Sequence, residues 1–130
     1  MFNDQKTGLK ITLVRTAGGA SSSTTAVTGA NYRHLCFLIQ CNFASTGKSC
    51  VVQVEHSDDG VSYSNFGDAI TISGDVALTA ASVIVDHSAV KLYVRALITP
   101  SSSAQTSCVA IQFNEELTPD ALANVNLSVL

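Results

Sequence analysis

The sequence predicts an all-β protein, an antiparallel β-sandwich of jelly-roll-like form with about eight strands and with N- and C-terminal arms. Two patterns carry this prediction. Segments of alternating apolar and polar residues recur about every ten residues, with turn-favouring residues between them. Helical periodicity is weak, and its best example, residues 119–125, is at best two turns long. A chain of 130 residues can bury one core, so we expect a single compact domain with its arms.

The first two clearly predicted strands differ in how many of their faces are apolar. Residues 9–15 place Leu9, Ile11 and Leu13 on one face, and the small, polar residues 16–29 predict a loop. The next strand, residues 33–43, is apolar along one whole face and along part of the other, which predicts a central position in its sheet. The residues of its fully apolar face are Leu35, Phe37, Ile39, Cys41 and Phe43.

Residues 51–68 predict a strand, a tight turn and a shorter strand. Val52, Val54 and His56 share one face, and Asp58-Asp59-Gly60 supplies residue types that tolerate a positive φ. We expect this strand to pair back on the preceding one through a loop at residues 44–49, as a hairpin.

The remaining strands are shorter or end the domain. We predict strands at residues 69–73, 76–79, 82–86 and 90–99, and a last one at residues 107–113. The inward residues of this last strand are expected to be Val109, Ile111 and Phe113.

The chain divides into a sandwich domain with a short N-terminal arm, residues 1–113, and a C-terminal arm, residues 114–130. Thr118-Pro119-Asp120 has the residue types that begin a helix. The chain ends with apolar residues at Leu127, Val129 and Leu130. Such an end forms either a core strand or an arm that docks on a neighbour, and we favour the arm.

Composition limits the partners. Charged residues make up only 13% of the chain, and 16 Ser and 12 Thr keep it polar. This composition suits either a surface partly covered by neighbours or a secreted or viral β-protein with an ordinary surface. The net charge is −3 and the seven basic residues are dispersed, so we expect no nucleic-acid partner. We also expect no membrane-spanning segment, and polar residues after Met1 predict synthesis without Sec-type export.

The four cysteines, Cys36, Cys41, Cys50 and Cys108, have no spacing typical of a metal site. Cys41 and Cys50 flank the predicted hairpin loop, so a disulfide between them is one alternative. The other is a set of buried thiols, which a chain made in the cytoplasm favours.

No residues are expected to act in catalysis or to bind a metal or cofactor. Asp86-His87-Ser88 has the residue types of a hydrolase triad, but neighbours on a strand point to opposite faces, so a turn is the better interpretation. His34 and His56 are interpreted as partly exposed strand residues. The acidic residues Asp58, Asp59 and Asp75 lie in turns and lack an EF-hand pattern, so we do not predict a calcium site.

Two segments carry a resemblance to a known family. The strand, Ser-Asp-Asp-Gly turn and following Tyr63 in residues 51–64, together with the strand KLYVRAL at residues 91–97, resemble small β-sandwich proteins of tailed-bacteriophage virions. The resemblance covers about half of the chain, residues 51–113.

Within that group the chain looks most like a capsid decoration (cement) protein. The resemblance implies a structural virion protein, not an enzyme, that is made in the host cytoplasm and binds the major capsid protein on the capsid surface. It also implies a homo-oligomer, with a trimer favoured. Residues 1–7 and 115–130 are the expected contacts. The alternatives are a tail or head–tail structural subunit, and a carbohydrate- or receptor-binding module using Tyr32, Tyr63 and Tyr93.

Overall fold

The computed structural model confirms a two-sheet β-sandwich. It describes residues 9–29, 32–43, 48–74, 77–101, 104–114 and 127–129. Within these, the strands are β1 (Leu9–Gly18), β2 (Ser22–Ser23), β3 (Val27–Thr28), β4 (His34–Phe43), β5 (Lys48–Ser57), β6 (Ser64–Asn65), β7 (Ile70–Gly74), β8 (Ala77–Asp86), β9 (Tyr93–Pro100), β10 (Ala104–Phe113) and β11 (Leu127–Val129). A 3₁₀ turn spans His87–Ala89. None of the described segments forms a helix long and apolar enough to cross a membrane.

The strand order is that of a jelly roll. The first sheet, sheet A, has the order β1-β10-β4-β8-β11, and the second, sheet B, contains β2-β9-β5-β6, with β3 beside β9 and β7 beside β5. If β2 with β3 and β6 with β7 each count as one position, the chain fills eight positions and β11 is an addition. Their order is then 1-8-3-6 in sheet A and 2-7-4-5 in sheet B, the alternation of a jelly roll.

The core lies between the inner faces of the two sheets. Sheet A contributes Leu35, Phe37 and Ile39 from β4, which is central as predicted, and all three have no exposed surface. Sheet B contributes Val52 and Val54 from β5, also fully buried. Other core residues are Val14, Val27, Cys41, Cys50, Ile72, Ala81, Val83, Val85, Val94, Ala96, Ile98, Cys108 and Ala110.

The turn after β5 forms as the sequence predicts. Gly60 has a φ of 75°, and Asp59 Oδ1 accepts hydrogen bonds from the backbone N–H groups of Val61 and Ser62 at 2.8 and 2.9 Å. These bonds lower the pKa of Asp59 to about 2. The chain then returns to pair Ser64 and Asn65 with the end of β5.

The predicted hairpin between β4 and β5 is wrong. β4 pairs with β10 and β8 in sheet A, whereas β5 pairs with β9, β6 and β7 in sheet B. The connection between them therefore carries the chain from one sheet to the other. Both strands are apolar on their inner faces, and each sheet can bury that face only against the opposite sheet.

Two further predictions are corrected. The predicted strands at residues 76–79 and 82–86 are not separate, because residues 77–86 form one strand, β8, with which β4 pairs without interruption from His34 to Phe43. On β10, Val109, Ile111 and Phe113 are half-buried, whereas the alternate residues Cys108 and Ala110 are buried in the core. The smaller side chains face inward because they lie beside the large residues of β4, with Ala110 opposite Phe37 and Cys108 opposite Ile39.

Candidate interaction surface

The outer face of sheet A is apolar across three strands. We call the following residues the outer apolar face: Leu9, Ile11, Leu13, Val109, Ile111, Phe113, Cys36 and Leu38. They alternate along β1, β10 and β4 with the residues that face the core, such as Val14, Ala110 and Phe37. A sheet that is apolar on both faces is typical of one covered on both sides.

The face is most exposed along β1. Leu9, Ile11 and Leu13 are 63%, 64% and 60% exposed, respectively. They form cross-strand pairs with β10, Leu9 opposite Phe113, Ile11 opposite Ile111 and Leu13 opposite Val109. The pairs make three adjacent apolar rows, and a contiguous exposed apolar patch of this kind marks an interaction site.

Arg15 fixes the strand that carries the most exposed residues. Its Nε donates to Thr106 Oγ1 on β10 at 2.9 Å, and its Nη2 donates to the carbonyls of Gly18 and Ala20 at 3.2 and 2.6 Å. These bonds span the irregular pairing between β1 and β10 that follows Leu13. The guanidinium therefore holds β1 in register where the ladder is interrupted.

The terminal segments expected to make contacts are described only in part. Residues 1–7 lie outside the described residues, and the first described residue is Leu9, on the edge strand β1 of sheet A. Of residues 115–130, only Leu127–Val129 are described, and they pair with Ser82–Ile84 of β8. The helix predicted for residues 119–125 also lies outside the described residues.

Asp86-His87-Ser88 lies in a turn, as the sequence predicts. Asp86 Oδ1 accepts hydrogen bonds from Ser88 N at 2.9 Å and from Ser88 Oγ at 2.8 Å, which lowers the pKa of Asp86. His87 instead points to the buried Gln112. The Asp86 side chain thus caps a 3₁₀ turn, and the three side chains do not form a relay from carboxylate to imidazole to hydroxyl.

Gln112 sets the tautomer of His87. Gln112 Nε2 donates to the Thr28 carbonyl at 2.7 Å and lies 3.2 Å from His87 Nε2. Because the two N–H bonds of this amide point to two acceptors, His87 Nε2 is unprotonated and the ring carries its proton on Nδ1. Burial lowers the pKa of His87, and the nearby Asp86 carboxylate opposes this shift.

The protein should lose stability as the pH falls below about 6.5. His87 has an ordinary pKa of 6.5 and a lower one when folded, so the unfolded chain binds the extra proton first. The contribution is complete above pH 6.5 and declines as the pH falls towards the lowered value. Thermal unfolding midpoints measured from pH 8 to pH 5 check this. In His87→Asn the decline should be shallower, and an equal decline in both proteins would contradict the assignment.

The other histidines are half-buried strand residues, as expected. His34 on β4 lies 5.2 Å from the ring of Phe113, centroid to centroid, and His56 on β5 lies 5.3 Å from that of Phe66. Asp58 pairs with Lys91 at 3.6 Å, and Asp75 lies outside the described residues. Within the described part of the chain, no three His, Cys, Asp or Glu side chains are grouped to hold a metal ion.

The aromatic residues of the carbohydrate-binding alternative lie in different surroundings. The Arg95 guanidinium lies 3.6 Å from the ring centroid of Tyr63, and its Nε pairs with Glu55 at 2.8 Å. Tyr93 lies against Gly60, while Tyr32 lines a separate cavity of about 320 Å³ beside His87. One face of Tyr63 is thus already used by a cation–π contact.

The cysteines are free thiols, and three of them are buried in the core. Cys41 on β4 and Cys50 on β5 are hydrogen-bonded to each other although the strands belong to different sheets. That hydrogen bond and burial raise the pKa of Cys41, and burial raises the pKa of Cys108 to about 12. The same hydrogen bond lowers the pKa of Cys50. Cys41 and Cys108, whose pKa values are raised, are poor nucleophiles and act as small core residues.

Sequence patterns identified Leu9, Ile11 and Leu13 as one face of a strand but did not indicate that this face is open. The signal was present in β4, where Cys36 and Leu38 make the second face apolar as well. Extending that second face to the neighbouring strands requires the register, with Leu38 opposite Val109 and Val109 opposite Leu13.

Comparisons with known proteins do not define a family. No family model matches the chain, and no curated protein matches it significantly. Among solved structures, a chain in the structure of infectious bursal disease virus, Gx strain, is similar, with a TM-score of 0.46 and 11% sequence identity. The similarity covers 90% of this chain and 34% of that one, so this chain spans about a third of its length. A likeness of this size says nothing about function.

Proposed function

We propose that the protein is a structural virion component that binds the outside of a phage capsid and stabilises contacts between major capsid subunits. The observation that carries this proposal is the outer apolar face, whose three β1 residues are at least 60% exposed. The jelly roll completes its own core between the sheets, so this second apolar face serves contact with another protein.

The chemistry of the face suits a repeating shell. Leu9, Ile11 and Leu13 provide an uncharged, aliphatic contact that salt does not screen. A single small patch binds weakly, but a homo-oligomer that engages several capsid subunits at once gains affinity through multivalency. The sequence resemblance to decoration proteins supports the same role and favours a trimer as the binding unit.

The proposal predicts that purified protein co-sediments with expanded phage capsid shells through the outer apolar face. In a variant carrying Ile11→Thr and Leu13→Thr, binding should weaken by about tenfold or more, because central apolar contacts carry most of an interface's energy. Threonine is β-branched, a side-chain shape that strands favour, so the fold should be retained. Sedimentation over a range of shell concentrations measures the affinity.

Val61→Thr is the matched control. Val61 is 81% exposed, but it lies alone in the turn after β5 and outside sheet A. Its replacement should leave shell binding unchanged. The proposed function would be wrong if the wild-type protein did not co-sediment with capsid shells. Equal binding by wild-type protein and the double variant would show that capsid attachment uses another surface.

A further inference from the structure

The outer edge of β8 is an acceptor site for a strand. Five consecutive β8 residues, Ala81–Val85, are 9% exposed or less. Since neighbouring strand residues point to opposite faces, both faces of β8 are covered here. Val83 and Val85 belong to the core, whereas Ser82 and Ile84 lie on the outer side, opposite Leu38 and Cys36 of β4.

The strand that fills this site is not part of the jelly roll. β11 pairs with Ser82, Val83 and Ile84 in parallel, while every other described pairing is antiparallel. The eight jelly-roll positions are complete without it. Without β11, β8 would be an edge strand with free backbone N–H and C=O groups. A chain terminus added to such an edge is a common mode of association between proteins.

The connection to β11 is long enough to reach another molecule. Twelve residues, 115–126, separate Asn114 from Leu127. Fully extended, they span about 40 Å. Within one chain, β11 lies three strands from β10 in sheet A, a lateral distance of about 14 Å. A domain of this length is on the order of 35 Å across, so the acceptor site of an adjacent copy is also within reach.

We propose that β11 of one copy pairs with β8 of a second copy of this chain. The backbone ladder is identical whether strand and acceptor belong to one chain or two, which makes exchange between copies a low-cost route to a homo-oligomer. Neither Leu127–Val129 nor Ser82–Ile84 contains a charged residue, so no like-charge repulsion opposes the contact. This proposal concerns self-association and is independent of capsid binding.

Disulfide trapping tests which chain supplies the strand. Ser82→Cys and Leu127→Cys place cysteines at directly opposed positions, and Cys36→Ser removes the thiol that lies beside Ser82. After mild oxidation, we expect covalent species of two or more chain masses on a denaturing, non-reducing gel. The control carries Leu13→Cys and Val109→Cys, opposed within one chain on β1 and β10, and should remain at the mass of one chain.

A trapped pair at the mass of one chain would overturn the proposal, as would the absence of any trapped pair. Light scattering of the unmodified protein gives a second readout that requires no substitution. Strand exchange predicts an oligomer whose mass rises with protein concentration, and a monomer at every concentration would overturn it. If such a monomer still bound capsid shells, strand exchange would be wrong but the proposed function would stand.

Discussion

Replacing Phe37 by alanine is expected to lower the free energy of unfolding by about 3 to 5 kcal/mol. Phe37 is the largest of the fully buried side chains and lies at the middle of β4, the central strand of sheet A. Its neighbours across the ladder, Ala110 and Val83, have small side chains. Neither can expand to fill the space that alanine would leave, and the cavity cost adds to the lost burial. Urea unfolding followed by circular dichroism measures the change.

Phe66→Ala is the control for the loss of a phenylalanine ring. Phe66 is only partly buried and packs at the margin of the core beside His56. Water can enter the space its ring occupies, so we expect less than half of the effect seen at Phe37. Equal losses at the two positions would contradict the assignment of Phe37 to the centre of the core.

The alternation of β4 and β5 was sufficient to predict the centre of this core. Leu35, Phe37 and Ile39 lie on one face in the sequence pattern, and Val52 and Val54 do so on the next strand; all five are fully buried. Large apolar residues spaced two apart have one way to be buried together in a strand, so local pattern and tertiary structure agree there.

The orientation of β10 could not be obtained in the same way. One face carries Val109, Ile111 and Phe113, and the other carries Cys108, Ala110 and Gln112. Hydropathy alone favours the first of these as the inner face. The structure buries the second, in which Ala110 lies opposite Phe37 and Cys108 lies opposite Ile39 of β4. A two-residue period shows which side chains share a face, whereas the neighbouring strand decides which face is inside.

The outer apolar face was inaccessible from sequence for the same reason. It includes Leu13, Val109 and Leu38, three residues from strands that are distant in the chain and become neighbours only in the folded register. The sequence does not predict that the chain passes from sheet A to sheet B between β4 and β5, because a short loop between alternating strands fits a hairpin equally well. It does favour burial of Cys41 and Cys50. Their contact across the two sheets depends on that passage from one sheet to the other.

Gly29 and His87 should be coupled, and Gly29→Ala is expected to destabilise the protein by about 2 to 3 kcal/mol. A β-carbon at Gly29 would lie 2.7 Å from His87 Cε1 and closer still to Nδ1. The imidazole would have to move, which breaks its contact with Gln112, a residue only 1% exposed. One amide N–H would then be buried without an acceptor, and that penalty accompanies the steric one.

Removing the ring should remove the penalty. In a His87→Ala background the added methyl group meets no imidazole, so Gly29→Ala should cost only a few tenths of a kcal/mol. The double-mutant cycle should therefore give a coupling of about 2 to 3 kcal/mol, the difference between the two costs. Gly18→Ala is the matched control, because its β-carbon would have the Thr16 carbonyl oxygen, 3.8 Å away, as its nearest neighbour. Urea unfolding of the four proteins in the cycle and of Gly18→Ala measures the coupling.

If Gly29→Ala cost no more than Gly18→Ala, or the same with and without the imidazole, the backbone at Gly29 would not be packed against His87. The contact between His87 and Gln112 would then have to be arranged differently.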